Sequence, residues 1–285
     1  MRVRGGRLLL LLLSLAGSAQ AQEDVCRPGR SSNEARTMAT FGVPLAFSDG
    51  MAPRASDPWT AHVGLELVYL PKVADAVATP TICRPDKPGP ENTDLLFAAP
   101  RPRAWLSLPA GFSIEASWIP PVKLSEVRAN LWGVALSRTT PLRGQRFFLA
   151  IRAHATLGKI EAPITCDDAA LSDANSPCYQ GTRSNDAFRP NVLGVSASLS
   201  WVVRGRFRPY VGAGYNHLAP RFQVNFTNRF GSLDRRKVIV DLDRAVLFGG
   251  ASWTPHSVVD LGAEIYAAPV DAVTGRLVAR VRLPH

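Results

Sequence analysis

Hydrophobic and polar residues alternate with period two along much of this chain. In residues 59–70 one parity is wholly apolar and aromatic at both ends: Trp59, Ala61, Val63, Leu65, Leu67 and Tyr69. The other parity, Thr60, His62, Gly64, Glu66, Val68 and Leu70, is smaller and more polar. Period two predicts a strand. The same pattern sets Phe147, Leu149, Ile151, Ala153, Ala155 and Leu157 against Phe148, Ala150, Arg152, His154 and Thr156. It sets Leu193, Val195, Ala197, Leu199 and Trp201 against Gly194, Ser196, Ser198 and Ser200, and Val259, Leu261, Ala263, Ile265 and Ala267 against Asp260, Gly262, Glu264 and Tyr266. Near the end, Leu277, Ala279, Val281 and Leu283 alternate with Val278, Arg280 and Arg282.

Alternation alone fits either a soluble sandwich with apolar residues inward or a membrane barrel with apolar residues outward. Three features favour the barrel. The alternating segments approach the roughly 9–11 residues of a tilted membrane strand. Their polar faces carry Gly, Ser and scattered charge, as a lumen would. Short links at residues 109–111, 142–144, 204–206 and 254–256 interleave with longer polar ones at about 72–102, 121–127, 161–187 and 227–236. Short periplasmic turns and long external loops produce that asymmetry. The fold expected is therefore an all-β, antiparallel, up-and-down transmembrane β-barrel of about 10–12 strands.

Ten strands are predicted at 59–70, 103–109, 112–120, 128–138, 145–160, 188–203, 207–226, 237–253, 258–268 and 275–283. Residues 37–47 also read as strand and would make eleven, although single-chain bacterial barrels have even counts. Residues 22–36 accordingly either form a first strand of twelve or thread the lumen as a plug. The division expected is a signal peptide over 1–21, an N-terminal segment over 22–58 (plug or first strands) and the barrel over 59–285.

Composition adds the compartment. Arg2, Arg4 and Arg7, the run Leu8 to Leu13, and Ala19-Gln20-Ala21 form a secretory signal peptide with an A-x-A cleavage site. Hydrophobic residues make up 46% of the chain, yet no run in residues 22–285 nears the roughly 18 of a membrane helix. The formal charge of +10 falls to about +7 without the three signal arginines, and arginine far outnumbers lysine. For an exported protein the natural anionic partner is outer-membrane lipid, with lipopolysaccharide a candidate at residues 235–237, and not nucleic acid. Cys26, Cys83, Cys166 and Cys178 suggest two disulfides. Cys166 and Cys178 bracket a polar loop, which leaves Cys26 for Cys83.

The stretch Arg208-Pro209-Tyr210-Val211-Gly212-Ala213-Gly214-Tyr215-Asn216 resembles the P-Y-V-G-A-G-x-G-Y strand of small outer-membrane β-barrels of the OmpA and OmpW type. The resemblance covers about nine residues and implies a bacterial outer-membrane location and insertion by the barrel-assembly machinery. That machinery usually reads a terminal aromatic, whereas this chain ends Leu283-Pro284-His285.

The candidate functional residues are the charges on the inward parity: Glu66, Glu115, Arg152, His154, Asp260, Glu264, Arg280 and Arg282, with His62. Balanced signs favour a salt-bridge network filling the lumen over a charge-selective constriction. A hydrolase would need His154 or His217 with a serine such as Ser196 or Ser198 and a carboxylate, and no spacing supplies that set. The acidic residues between Cys166 and Cys178 lack the order of a calcium loop. No enzyme, cofactor or metal is expected. The function expected is a narrow passive pore, or a conduit for small solutes or apolar molecules. The alternatives are a closed structural or adhesive barrel and, third, a lipid-modifying enzyme.

Overall fold

The computed structural model describes residues 24–85, 87, 89–144, 146–203 and 205–284. The expected signal peptide, Gln145, Arg204 and His285 lie outside the described residues. Ten strands form the wall: β1 (Ala61–Tyr69), β2 (Ala98–Ser107), β3 (Phe112–Ile119), β4 (Val127–Leu142), β5 (Phe147–Ala162), β6 (Val192–Trp201), β7 (Phe207–Leu218), β8 (Leu242–His256), β9 (Val259–Ala268) and β10 (Ala272–Arg282). Each pairs antiparallel with its chain neighbours, and β10 pairs back onto β1 from Arg276–Val68 to Arg282–His62, so the sheet closes.

For the five segments in which the sequence pattern assigns parity, that parity is the one observed. Val63, Leu65 and Leu67 on β1, Ile151 on β5, Val195 on β6, Ile265 on β9 and Leu277 on β10 are exposed, while Glu66, Arg152, Ser198, Glu264 and Arg276 are buried. Polar inside and apolar outside is the reverse of a soluble sandwich, and it is stable only where hydrocarbon replaces water around the wall. Outward aromatics mark both rims: Trp59, Phe112, Phe207 and Trp253 at the short-turn end, Tyr69 and Tyr215 near the other, with Trp118 stacked on Trp132 at 5.2 Å. The protein is an outer-membrane-type β-barrel.

Residues 70–97, 120–126, 163–191 and 219–241 all emerge at one end, which the loop asymmetry makes external. There β5 outruns β6 and pairs with Asp186–Arg189; that segment pairs with Arg221–Gln223, then Lys237–Ile239, then parallel with Val25–Cys26. Disulfide Cys26–Cys83 ties this outer sheet to the loop between β1 and β2, and Cys166–Cys178 closes within the loop after β5, in the pairing expected.

Residues 37–47 are not strand. A helix, α1 (Asn33–Leu45), begins at Ser32, whose side chain accepts the Ala35 N–H at 3.1 Å. Ala35, Met38, Ala39 and Val43 are all buried and recur at helical spacing; the alternation of Ala39, Phe41, Val43 and Leu45 obscures that period in the sequence. Pro44 sits in the last turn, and from Ala46 the chain is extended down the lumen. Residues 24–32 therefore lie at the external end, α1 enters through that mouth, and residues 46–58 descend to the periplasmic rim, where β1 starts. Val25–Cys26 adds to the outer sheet and to no wall strand, and the part of the chain inside the lumen, the plug, is α1 and residues 46–58, not residues 22–36 as a whole.

Glu34 anchors α1 to the loop before β2. Its carboxylate accepts the backbone N–H groups of Thr81, Ile82 and Cys83 at 2.8, 2.7 and 2.9 Å. Burial works to raise its pKa, but these donors outweigh it and hold the group below the usual glutamate range. Because the folded pKa is depressed, the anchor's contribution is complete above the unfolded value of about 4.3 and is lost as pH falls through the folded one. Glu34→Gln should speed amide hydrogen exchange at residues 81–83 at neutral pH, and wild type should match it only once acidified below pH about 4. Equal protection in both proteins at neutral pH would remove the anchoring role.

Candidate functional site

Two features fill the space inside the wall: a charged knot around the plug at mid-depth, and an apolar cavity above it. The knot is assembled by inward positions of adjacent strands. Arg101 and Arg103 come from β2, Glu115 from β3, Arg152 from β5, Glu264 from β9, Arg276 from β10 and Glu66 from β1; all are buried. Arg103 donates to Glu115 at 2.7 Å and lies 3.4 Å from Glu66. Glu66 also faces Arg276 at 3.3 Å and Arg101 at 3.7 Å. Arg152 bonds Glu115 and, at 2.9 Å, Asp49 of the plug. Glu264 accepts from Ser48 at 2.6 Å and Tyr210 at 3.0 Å, with Arg276 3.5 Å away. Four arginines meet four carboxylates, so the knot is neutral.

The same arginines hold the plug backbone. Arg276 donates to the carbonyls of Pro44 at 3.1 Å and Ala46 at 2.7 Å, and Arg101 to that of Leu45 at 3.1 Å. Arg152 reaches the Phe47 carbonyl at 3.3 Å, and Arg103 the Ser48 carbonyl at 3.0 Å. Five consecutive carbonyls are taken by four wall guanidiniums. The last turn of α1 carries no basic residue, so the barrel supplies the cations that a helix C-terminus attracts. The Phe47 ring, fully buried, lies 4.4 Å from the Arg103 guanidinium, 5.1 Å from that of Arg152 and 5.6 Å from that of Arg101.

The other charges named from sequence stand apart from the knot. Asp260 and Arg280 pair at 3.0 Å near the periplasmic end, and Arg54 of the plug grips the same carboxylate at 2.8 and 3.0 Å. Arg282 is at the rim, paired across the ladder with His62. His154 is buried beside Gly194 and Asn216, with no carboxylate bonded to either ring nitrogen. His217 bonds Asp243 at 2.9 Å but projects outward on β7, whereas Ser196 and Ser198 sit on the inward parity of β6. Among the described residues neither His154 nor His217 is hydrogen-bonded to both a serine and a carboxylate. In the loop between Cys166 and Cys178, Asp167 caps the short helix Asp168–Ser172 by accepting the Ala170 N–H, and among the described residues no cluster suits a metal.

Sequence reasoning missed Arg101, Arg103, Arg276, Asp49 and Arg54. Arg276 shares the parity of Val278 and Arg280 and was legible. Arg101 and Arg103 fell at an underdrawn strand boundary, where Pro100 and Pro102 disguise the strand. Asp49 and Arg54 carry no signal, because the plug has no periodicity.

Above the knot lies a cavity of about 150 Å³. Its walls are Met38, Phe41 and Leu45 of α1, Leu131 of β4, Ile160 of β5, and Phe188 and Phe222 of the outer sheet, and the lining is almost wholly apolar. Glu34 and the ion pair of Arg84 with Glu91, at 2.9 Å, stand at its edge.

No protein-family model matches the chain, and no curated protein does. Among solved structures, the outer membrane protease OmpT of Escherichia coli is similar over 79% of this chain and 92% of its own, at 9% identity and TM-score 0.39. The toluene transporter TodX of P. putida is similar over 81% of this chain and 68% of its own, at 12% identity and TM-score 0.34. The attachment invasion locus protein Ail of Yersinia pestis is similar over 80% of this chain and 100% of its own, at 8% identity and TM-score 0.31.

Removing one member of a buried charge network strands its partners, which typically costs about 3–5 kcal/mol. Glu66→Ala should therefore lower the urea midpoint of the detergent-folded barrel far more than Glu161→Ala, a carboxylate outside the knot. Similar midpoints for the two variants would mean that the Glu66 contacts contribute little.

Proposed function

We propose that this barrel takes up a small apolar molecule from the external side, using the cavity beside α1 as its binding site. The observation that carries this reading is the pairing of that cavity with the filled lumen beneath it. A cavity of about 150 Å³ lined by aliphatic and aromatic side chains stays dry and accommodates a molecule about the size of benzene. Apart from Glu34, Thr37, Arg84, Glu91 and Thr93 the lining side chains are apolar, so selection rests mainly on size and apolarity. Immediately below, Ala46, Phe47, Ser48, Met51 and Ala52 are buried, and the arginine clamps hold them across the lumen. A water-filled route for ions needs that segment to leave, against its bonds to Arg101, Arg103, Arg152 and Arg276. The plug therefore supports the apolar-conduit reading over an open pore. In this reading lipid surrounds the wall, no residue is catalytic, and the barrel-assembly machinery inserts the chain.

A second reading, a closed barrel that binds a partner through its exterior, draws on the outer sheet tied down by Cys26–Cys83 and the external loop closed by Cys166–Cys178. It leaves the apolar cavity without a role.

The test is ¹⁹F NMR of fluorobenzene with the full protein in nanodiscs. A saturable resonance distinct from the lipid-dissolved one is expected. It should vanish in Ala129→Phe, which fills the cavity, while the heat-dependent shift in gel mobility persists. Only lipid-dissolved fluorobenzene in the wild type would refute the reading.

A further inference from the structure

The wall is incomplete beside the cavity, and its prolines explain why. On β2, residues of odd number bond toward β1: the Ser107 N–H donates to Thr60, and the Phe97 carbonyl accepts from Leu70. Residues of even number turn toward β3, as the Leu108 N–H does in donating to Phe112. The β2–β3 ladder runs from Ser107–Ser113 up to Arg103–Ser117 and stops, although β2 stays paired with β1 as far as Ala98–Tyr69. Continued in register, Pro102 would face Trp118 and Pro100 would face Pro120. Proline has no N–H to donate. The pair of Pro100 with Pro120 has no donor on either side, and Pro102 cannot return a bond to Trp118. Sequence chemistry thus forbids zipping the outer third of this one seam.

The cavity reaches that seam. Ala99 and Pro100 line it from one lip, Ile119, Val122 and Leu124 from the other, and Leu96 from the loop above. Outside, Phe97, Val122 and Leu124 are exposed and apolar, so the gap is bordered by side chains suited to acyl chains and not to water. Open sheet edges at membrane depth are tolerated where they line a cavity.

We infer that the seam between β2 and β3 is a side door through which an apolar molecule passes between the cavity and the outer leaflet of the membrane. This rests on the cavity being a binding site for such molecules. The passage is passive and needs no movement of the plug. Below the cavity the clamped plug bars descent, so the door is the route that leaves the arginine knot intact.

The test restores the missing donors with Pro100→Val, Pro102→Val and Pro120→Val in one chain. Fluorobenzene in nanodiscs is again the probe, and ¹⁹F exchange spectroscopy reads the rate between the lipid-dissolved and cavity-bound signals. The zipped variant should keep the bound signal and slow the exchange about tenfold or more. A second variant, Pro100→Cys with Pro120→Cys, is bridged by mild oxidant after folding, when the four native cysteines are already paired. Because two donors are restored, its exchange should already be slower than wild type before oxidation and should slow further once the bridge forms. A retained bound signal with unchanged exchange in the oxidised protein would overturn the side door while leaving the binding site standing. Absence of a bound signal from the wild type would instead overturn the binding site, and the door with it.

Discussion

Everything inside this barrel depends on capture of the plug backbone by wall arginines. Arg101, Arg103, Arg152 and Arg276 take the carbonyls of residues 44–48 and also share Glu66, Glu115, Glu264 and Asp49. Neither half of this arrangement is stable alone. Buried guanidiniums require compensating charge, and the end of α1 leaves carbonyls that require donors. Each supplies what the other lacks, and the exchange places a helix C-terminus inside a barrel whose lumen would otherwise hold water.

That clamp sorts the interior into levels. Above it, α1 presents Met38, Phe41 and Leu45 to apolar wall positions, and the packing between them leaves a cavity. Below it, Arg54 and Arg280 converge on Asp260 near the periplasmic rim. The tether Cys26–Cys83 and the Glu34 anchor hold the top of α1 while the arginines hold its bottom. The plug is therefore fixed at both ends, and the incomplete β2–β3 seam becomes the nearest exit from the cavity.

The outward face follows a simpler rule. A wall of Leu, Val, Ile and Ala bounded by Trp, Tyr and Phe is matched to hydrocarbon between two polar layers. The pleat sends alternate residues to opposite faces, so selecting an apolar exterior leaves the other parity free to carry charge. This is how a chain with seven buried charged residues in its knot strands can keep an uninterrupted lipid surface.

The sequence by itself determined the strands, their inward and outward parity, the closed barrel and the pairing of the cysteines, because period-two alternation and turn spacing are local properties of the chain. It exposed Glu66, Glu115, Arg152, Asp260, Glu264, Arg280 and Arg282 as inward for the same reason. Local pattern misled at residues 37–47, where Ala39, Phe41, Val43 and Leu45 alternate like a strand yet Ser32 caps a helix. Only the tertiary structure decided that this helix enters the lumen and that Arg101, Arg103 and Arg276 meet its end. Only it decided that the β2–β3 ladder stops at Arg103–Ser117, short of Pro100 and Pro120. Those contacts join residues tens to hundreds of positions apart, and the register and closure that bring them together exist only once the sheet has folded on itself.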